Sequence, residues 1–189
     1  MMQNKLEKNP QKSVQIKNWP EKIRIFSGAQ LKYLAFISML IDHVNKALIY
    51  PNLDGSAGLQ IISDLFDILG RIAFPLFMFL LVEGYFKTRS RWKYLLYLLG
   101  FGVISEVPFD LFTTSQVFEP NWNNIMFTLA AVLITIWSID TLREKMDRLP
   151  KLLWYLASVV IVAVMCFAAM NLGLDYEHHA ILIGYFMYI

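Results

Sequence analysis

The sequence predicts an all-α, polytopic membrane helix bundle with five full spans, the start of a sixth and a cytoplasmic amino terminus. Three observations predict it. Hydrophobic residues make up 57% of the 189-residue chain and charged residues only 17%, where soluble domains run nearer a quarter charged. The apolar residues form blocks of about the length, roughly 20 residues, that a helix needs to cross the hydrocarbon core. Lys and Arg crowd alternate connections between those blocks.

Residues 1–28 are polar and Lys-rich with no early apolar core, which excludes a cleaved signal peptide. They read as a mobile basic arm on the cytoplasmic side, suited to anionic headgroups. The predicted spans are 31–50, 65–86 (with Ile61 as an earlier start), 92–112, 124–140 and 152–172. A sixth apolar block opens near His178 and holds about a dozen residues, too few to span. Residues 29–189 therefore read as one transmembrane domain, truncated at its carboxy end, although the last piece could lodge against the bundle without crossing. Seven of the 17 Lys and Arg precede or open the first span. Four more (Lys87, Arg89, Arg91, Lys93) lie between spans two and three, and four (Arg143, Lys145, Arg148, Lys151) between spans four and five. Connections 51–60, 113–123 and 173–177 contain none, so the alternation places the amino terminus inside. The basic residues serve topology; no nucleic-acid motif accompanies them. Trp19, Trp92, Trp122, Trp137 and Trp154 lie at or near span ends, where interfacial indoles belong. The single Cys166 lies inside the fifth span and reads as packing.

Two cations, Lys46 and Arg71, fall within apolar blocks and need another explanation. With the orientation above, Asp42 and His43 lie in the outer half of the first span, and Asp67 and Arg71 in the outer half of the second. Glu106 and Asp110 lie near the outer end of the third, and Asn124 and Thr128 at the start of the fourth. Four helices thus aim polar side chains at one layer, and Glu83 alone falls near the inner end. Ionisable residues within membrane spans are functional by default, and each costs about 2.5–3.5 kcal/mol at a helix centre on the insertion scale. Asp42 and Lys46 are four apart and share a face; Asp64, Asp67 and Arg71 also form one stripe. The plain alternative is that Asp42–Lys46 and Asp67–Arg71 merely neutralise each other. Pro108 separates Glu106 from Asp110 and is expected to kink the third helix. His43 points about 100° away from Asp42, so its orienting partner is expected from another helix, Glu106 or Asp67. His178 and His179 could ligate a metal together with Asp175 and Glu177, but they read rather as interfacial residues opening the sixth block, and no metal site is expected.

The blocks LKYLAFISMLIDHV (31–44), GRIAFPLFMFLLVEGYFKTRS (70–90), KYLLYLLGFGVISEVPFDLF (93–112), NIMFTLAAVLI (124–134) and DYEHHAILIGYFMYI (175–189) resemble, in this order, the TraX family of membrane proteins, related to the transmembrane acyltransferases. The chain differs from the family pattern at Glu177-His178-His179, where small residues are usual, and family members continue past residue 189. The resemblance implies acetylation of an amine, such as a pilin amino terminus, with acetyl-CoA as donor. The catalytic set is then His43, Asp42 and Glu106. His43 acts as general base, for which an imidazole is suited near neutral pH, and a carboxylate, Glu106 first, holds its tautomer. Lys46, Asp67, Arg71, Asp110, Asn124 and Thr128 would bind substrate, with Lys46 or Arg71 stabilising an oxyanion or gripping phosphates. Arg71, Lys87 and Arg89 would bind the donor, whose nucleotide sits at the basic inner loops while its pantetheine arm threads the bundle. The expected partners are the lipid bilayer and a pilin or other envelope acceptor, at the bacterial cytoplasmic membrane. Two other readings fit the buried charges: an ion- or proton-coupled transporter, and a non-catalytic pilus or secretion accessory protein.

Overall fold

The computed structural model describes residues 26–146 and 150–189; the basic arm expected over 1–28 lies almost wholly outside the described residues. Among the described residues seven α-helices follow in order: α1 Gly28–Val44, α2 Ala57–Arg71, α3 Ala73–Lys87, α4 Arg91–Thr113, α5 Ile125–Lys145, α6 Lys151–Asn171 and α7 Glu177–Tyr188. A π-helical turn, Asn45–Ile49, and a 3-10 turn, Tyr50–Asn52, continue α1. Local chemistry sets the starts. Ser27 and Gln30 form a reciprocal capping box on α1, and Ser90 and Asn124 cap α4 and α5 through their side chains.

The predicted second span becomes two helices on one 31-residue rod, Ala57–Lys87, interrupted at Ile72. Pro75 brings no N–H for the Arg71 carbonyl four residues earlier, and the turn at Ile72 tightens onto Leu69. The rod starts earlier than expected because 57–71 is amphipathic. Its buried side carries Ser63 and Gly70, while Ile61, Ile62, Leu65 and Ile68 face outward. Among the described residues four helical stretches are long and apolar enough to cross a membrane: Ala57–Lys87, Arg91–Thr113, Ile125–Lys145 and Lys151–Asn171. α1 has 17 α-helical residues before its π turn. α4 runs through Pro108 as one helix.

α5 is the central helix. α3, α4, α6 and α7 all pack on it, and α1 packs on α2 and α3. Val132, Leu133, Ile136 and Ile139 of α5 are fully buried with Met78 of α3 and Ile181 of α7, with Thr135 buried among them, a mainly apolar middle layer. Outward faces of α4 and α6 are apolar (Tyr97, Phe101, Ile104; Val160, Val164, Phe167), as helices need that have lipid for a neighbour. The bundle has two chemically distinct ends. The loop end gathers the connections 45–56, 114–124 and 172–176; the basic end gathers 88–90, the end of α5 at Arg143 and Lys145, and the start of α6 at Lys151.

Candidate functional site

At the loop end, α1 approaches the α2–α3 rod so closely that a Cβ on Gly70 would lie 2.6 Å from the Asp42 Cβ. That contact fixes Asp42, whose Oδ2 accepts from Lys46 Nζ at 2.7 Å. The Asp42–Lys46 pair expected from the spacing is therefore formed. The Asp67–Arg71 pair is not. Asp67 instead accepts from Asn45 Nδ2 at 2.8 Å, while Arg71, in the last turn before the break at Ile72, is exposed. Asn45 is fully buried, also donates to the Ser63 carbonyl at 3.0 Å, and opens the π-helical turn. Such turns concentrate at functional positions. Asn45 was not singled out from the sequence because a neutral Asn inside an apolar block carries no charge signal.

His43 stands on the next face of α1, with its side chain 46% exposed. Its ring stacks on Phe112 of α4, centroids 5.2 Å apart. Nδ1 lies 2.8 Å from the Met39 carbonyl oxygen. The orienting bond thus comes from its own helix, not from Glu106 or Asp67, because both carboxylates are engaged elsewhere. Glu106 Oε2 accepts from the Asn124 side-chain amide and, at 3.3 Å, from the Asn124 backbone N–H. Asp110, 1% exposed, accepts at Oδ2 from the Glu119 N–H at 2.9 Å. Glu106 Oε1, Asp110 Oδ1 and Asn45 Oδ1 are buried with no hydrogen-bond partner among the described residues.

Asn124 and Thr128 are committed to the fold. Asn124 caps α5 by accepting from Met126 N–H and donates to Gly102, Ser105 and Glu106, tying α4 to α5. Thr128 Oγ1 donates to the Asp175 carbonyl at 2.8 Å, which brings the α6–α7 turn over the site. That turn is pinned by backbone pairing with the α4–α5 connection. Asn123 N–H donates to Gly173 O at 2.8 Å and Asp175 N–H to Asn123 O at 3.2 Å. Gly173 is required there: its φ is +58°, and a Cβ would lie 1.9 Å from the Asn121 carbonyl oxygen. Burial pushes the Asp175 carboxyl pKa up, opposed by the Tyr176 N–H and by the charge of Lys46, so Asp175 feels the α1 cluster electrostatically.

The basic end is built differently. Asp140 accepts from Tyr85 Oη at 2.7 Å, Arg91 Nη2 at 2.6 Å and Tyr188 Oη at 3.1 Å, joining α3, α4, α5 and α7. Arg91 also lies over the Tyr85 ring, 4.7 Å from its centroid. Sequence reasoning placed Glu83 alone at this end and missed Asp140, because its partners lie 48 to 55 residues away and leave no local spacing to read. Glu83 pairs with Lys87 at 2.5 Å, so of the two basic-end residues expected to hold the donor, Arg89 is exposed and Lys87 is engaged by a carboxylate. The mainly apolar middle layer lies between the two ends, across the lengthwise route expected for a pantetheine arm.

The TraX protein family matches residues 27–189. A probable fimbrial assembly protein, FimC of serogroup H1, from Dichelobacter nodosus is 37% identical over 118 residues, or 59% of this chain and 46% of that protein. The chain thus spans about half the length of the curated relative it matches. No solved structure matches the chain. With its several apolar, bilayer-length helices, this chain is a multi-pass membrane protein and belongs to the TraX family.

Proposed function

We propose that the chain is a membrane acyltransferase that moves an acetyl group from acetyl-CoA to an amine at the loop end, with His43 as general base, in the service of pilus or other envelope assembly. The observation that carries this reading is the bond between His43 Nδ1 and the Met39 carbonyl. A carbonyl oxygen only accepts, so Nδ1 bears the proton and the neutral ring keeps its lone pair on Nε2. The Phe112 ring holds the imidazole plane, and Asp42 Oδ2 lies 4.0 Å from Nδ1. Acetyl-CoA, when bound, supplies the thioester: the amine nitrogen bonds to its carbonyl carbon, the carbon–sulfur bond breaks, and the thiolate leaves. Nε2 removes the proton that the nitrogen must lose. Arg71, exposed at the break between α2 and α3, is the loop-end cation suited to the developing oxyanion.

The donor's anionic nucleotide matches the basic end, where Arg89, Lys93, Arg143 and Lys145 are exposed. Because the core is filled, the arm has to run along the flank between α1, which packs on α3, and α4, which packs on α5. His43 and Phe112 close that flank at the loop end. The same layer weighs against the transporter reading, since a relay needs ionisable groups through both halves and Met78, Val132, Leu133, Ile136 and Ile181, with the Thr135 hydroxyl buried among them, supply none. Family membership and the fimbrial assembly relative support the pilus context. The test uses the reconstituted chain, labelled acetyl-CoA and a peptide with a free amino terminus. Labelled peptide and released thiol are expected; their absence, with donor binding intact, would leave the accessory-protein reading in place.

A further inference from the structure

A cavity of about 310 Å³ opens at the loop end between the two paired connections. Trp122 and Tyr176 supply aromatic walls, Asp175 and Glu177 supply carboxylates, and Asn121 and His179 complete the lining used here. Its size suits one residue-sized group rather than a nucleotide. The walls are fixed. The Tyr176 ring lies flat on Phe74, centroids 3.9 Å apart, the Asp175 carbonyl is held by Thr128, and Tyr176 and Glu177 both adopt positive φ, +61° and +43°, which non-glycine residues hold only when their surroundings enforce it. Within ion-pair distance among the described residues, Glu177 has the His178 ring, at 3.7 Å, and no Lys or Arg. Two carboxylates beside two aromatic residues form an environment for a cation carried on an apolar stem. An anionic ligand would meet both carboxylates.

We infer that this cavity is a recognition site for a primary ammonium borne on an apolar group, held between the Asp175 and Glu177 carboxylates against Trp122 and Tyr176. Its place in the reaction rests on the acyltransferase reading. Asp175 lies within the electrostatic reach of His43 and Lys46, so an ammonium held there is at the same end of the bundle as the proposed base. Recognition of the ammonium itself does not require transfer. A peptide amino terminus and an ethanolamine headgroup share this chemistry.

The test is binding, without acetyl-CoA, to the full chain in phosphatidylcholine nanodiscs. The probes are a phenylalanine-initiated tetrapeptide amide and its N-acetylated counterpart, followed by calorimetry. The free amine is expected to bind at least tenfold more tightly than the acetylated peptide. Glu177→Gln and Trp122→Ala should each weaken it about tenfold while thermal melting stays within a few degrees. Competition when phosphatidylethanolamine replaces phosphatidylcholine also supports the site and names a lipid headgroup as the source. Equal binding of the two peptides, or unchanged affinity in folded Glu177→Gln and Trp122→Ala, overturns the inference. The two proposals fail separately. Amine binding without acetyl transfer sinks the enzyme and keeps the site; transfer whose acceptor KM ignores both substitutions does the reverse.

Discussion

Both ends of this bundle gather ionisable groups, yet they satisfy them in opposite ways. At the basic end, Asp140 takes three hydrogen bonds from Tyr85, Arg91 and Tyr188 and binds four helices together. At the loop end, Asn45, Glu106 and Asp110 each keep a buried oxygen without a partner among the described residues, His43 is half-exposed, and three non-glycine residues, Ser115, Tyr176 and Glu177, hold positive φ. Buried polar atoms left unmatched cost free energy, and strain of this kind gathers where surroundings enforce it for a purpose. The contrast separates a structural network from a candidate site more sharply than charge alone does.

The comparison breaks most visibly if its two hubs are exchanged in experiment. His43→Ala is expected to reduce acetyl transfer about 10²–10⁴-fold, the range of a general base, with melting unchanged, as read by transfer assay and thermal denaturation. Asp140→Ala should do the converse. Removing the shared acceptor leaves Arg91 and two tyrosine hydroxyls unmatched, and a loss of about 2–3 kcal/mol in stability is expected, less than for a fully buried pair because Arg91 is partly exposed. Gly70→Ala sharpens the loop-end side. Its Cβ meets Asp42 at 2.6 Å, so α1 must shift, at about 1–3 kcal/mol, with reduced transfer. Asn45→Ala removes the donor to Asp67 and should cost about 1 kcal/mol, measured by denaturant melts in detergent. Smallest of all is a pH effect. Burial raises the folded-state pKa of Asp175, so the unfolded chain ionises first as pH rises. Stability then falls from about pH 3.9, the unfolded value, up to the folded value, and Asp175→Asn should flatten that decline.

Much of this was legible in the residues. Four of the helices, α4 to α7, begin or end within a few residues of the predicted blocks, because continuous apolarity at bilayer length has few other uses. The start of α2 was not, since an amphipathic stretch such as 57–71 lacks that continuity. In the site, the Asp42–Lys46 pair followed from helical spacing. What local spacing does not encode is partner choice across helices: Asp67 with Asn45, Glu106 with Asn124, Asp140 with Tyr85, Arg91 and Tyr188. Those choices depend on how helices rotate against one another, and in the case of Asn45 on a π turn that shifts the register of α1.

The central claim is that the exposed imidazole on α1 does the chemistry while the carboxylate at the opposite end only holds the fold. The direct measurement follows label from acetyl-CoA into a free-amine peptide in nanodiscs holding the parent chain, His43→Ala or Asp140→Asn, each corrected for its folded fraction. The account predicts transfer by the parent chain, near-parental transfer per folded molecule by Asp140→Asn, and background from fully folded His43→Ala. Parental transfer by His43→Ala would contradict it.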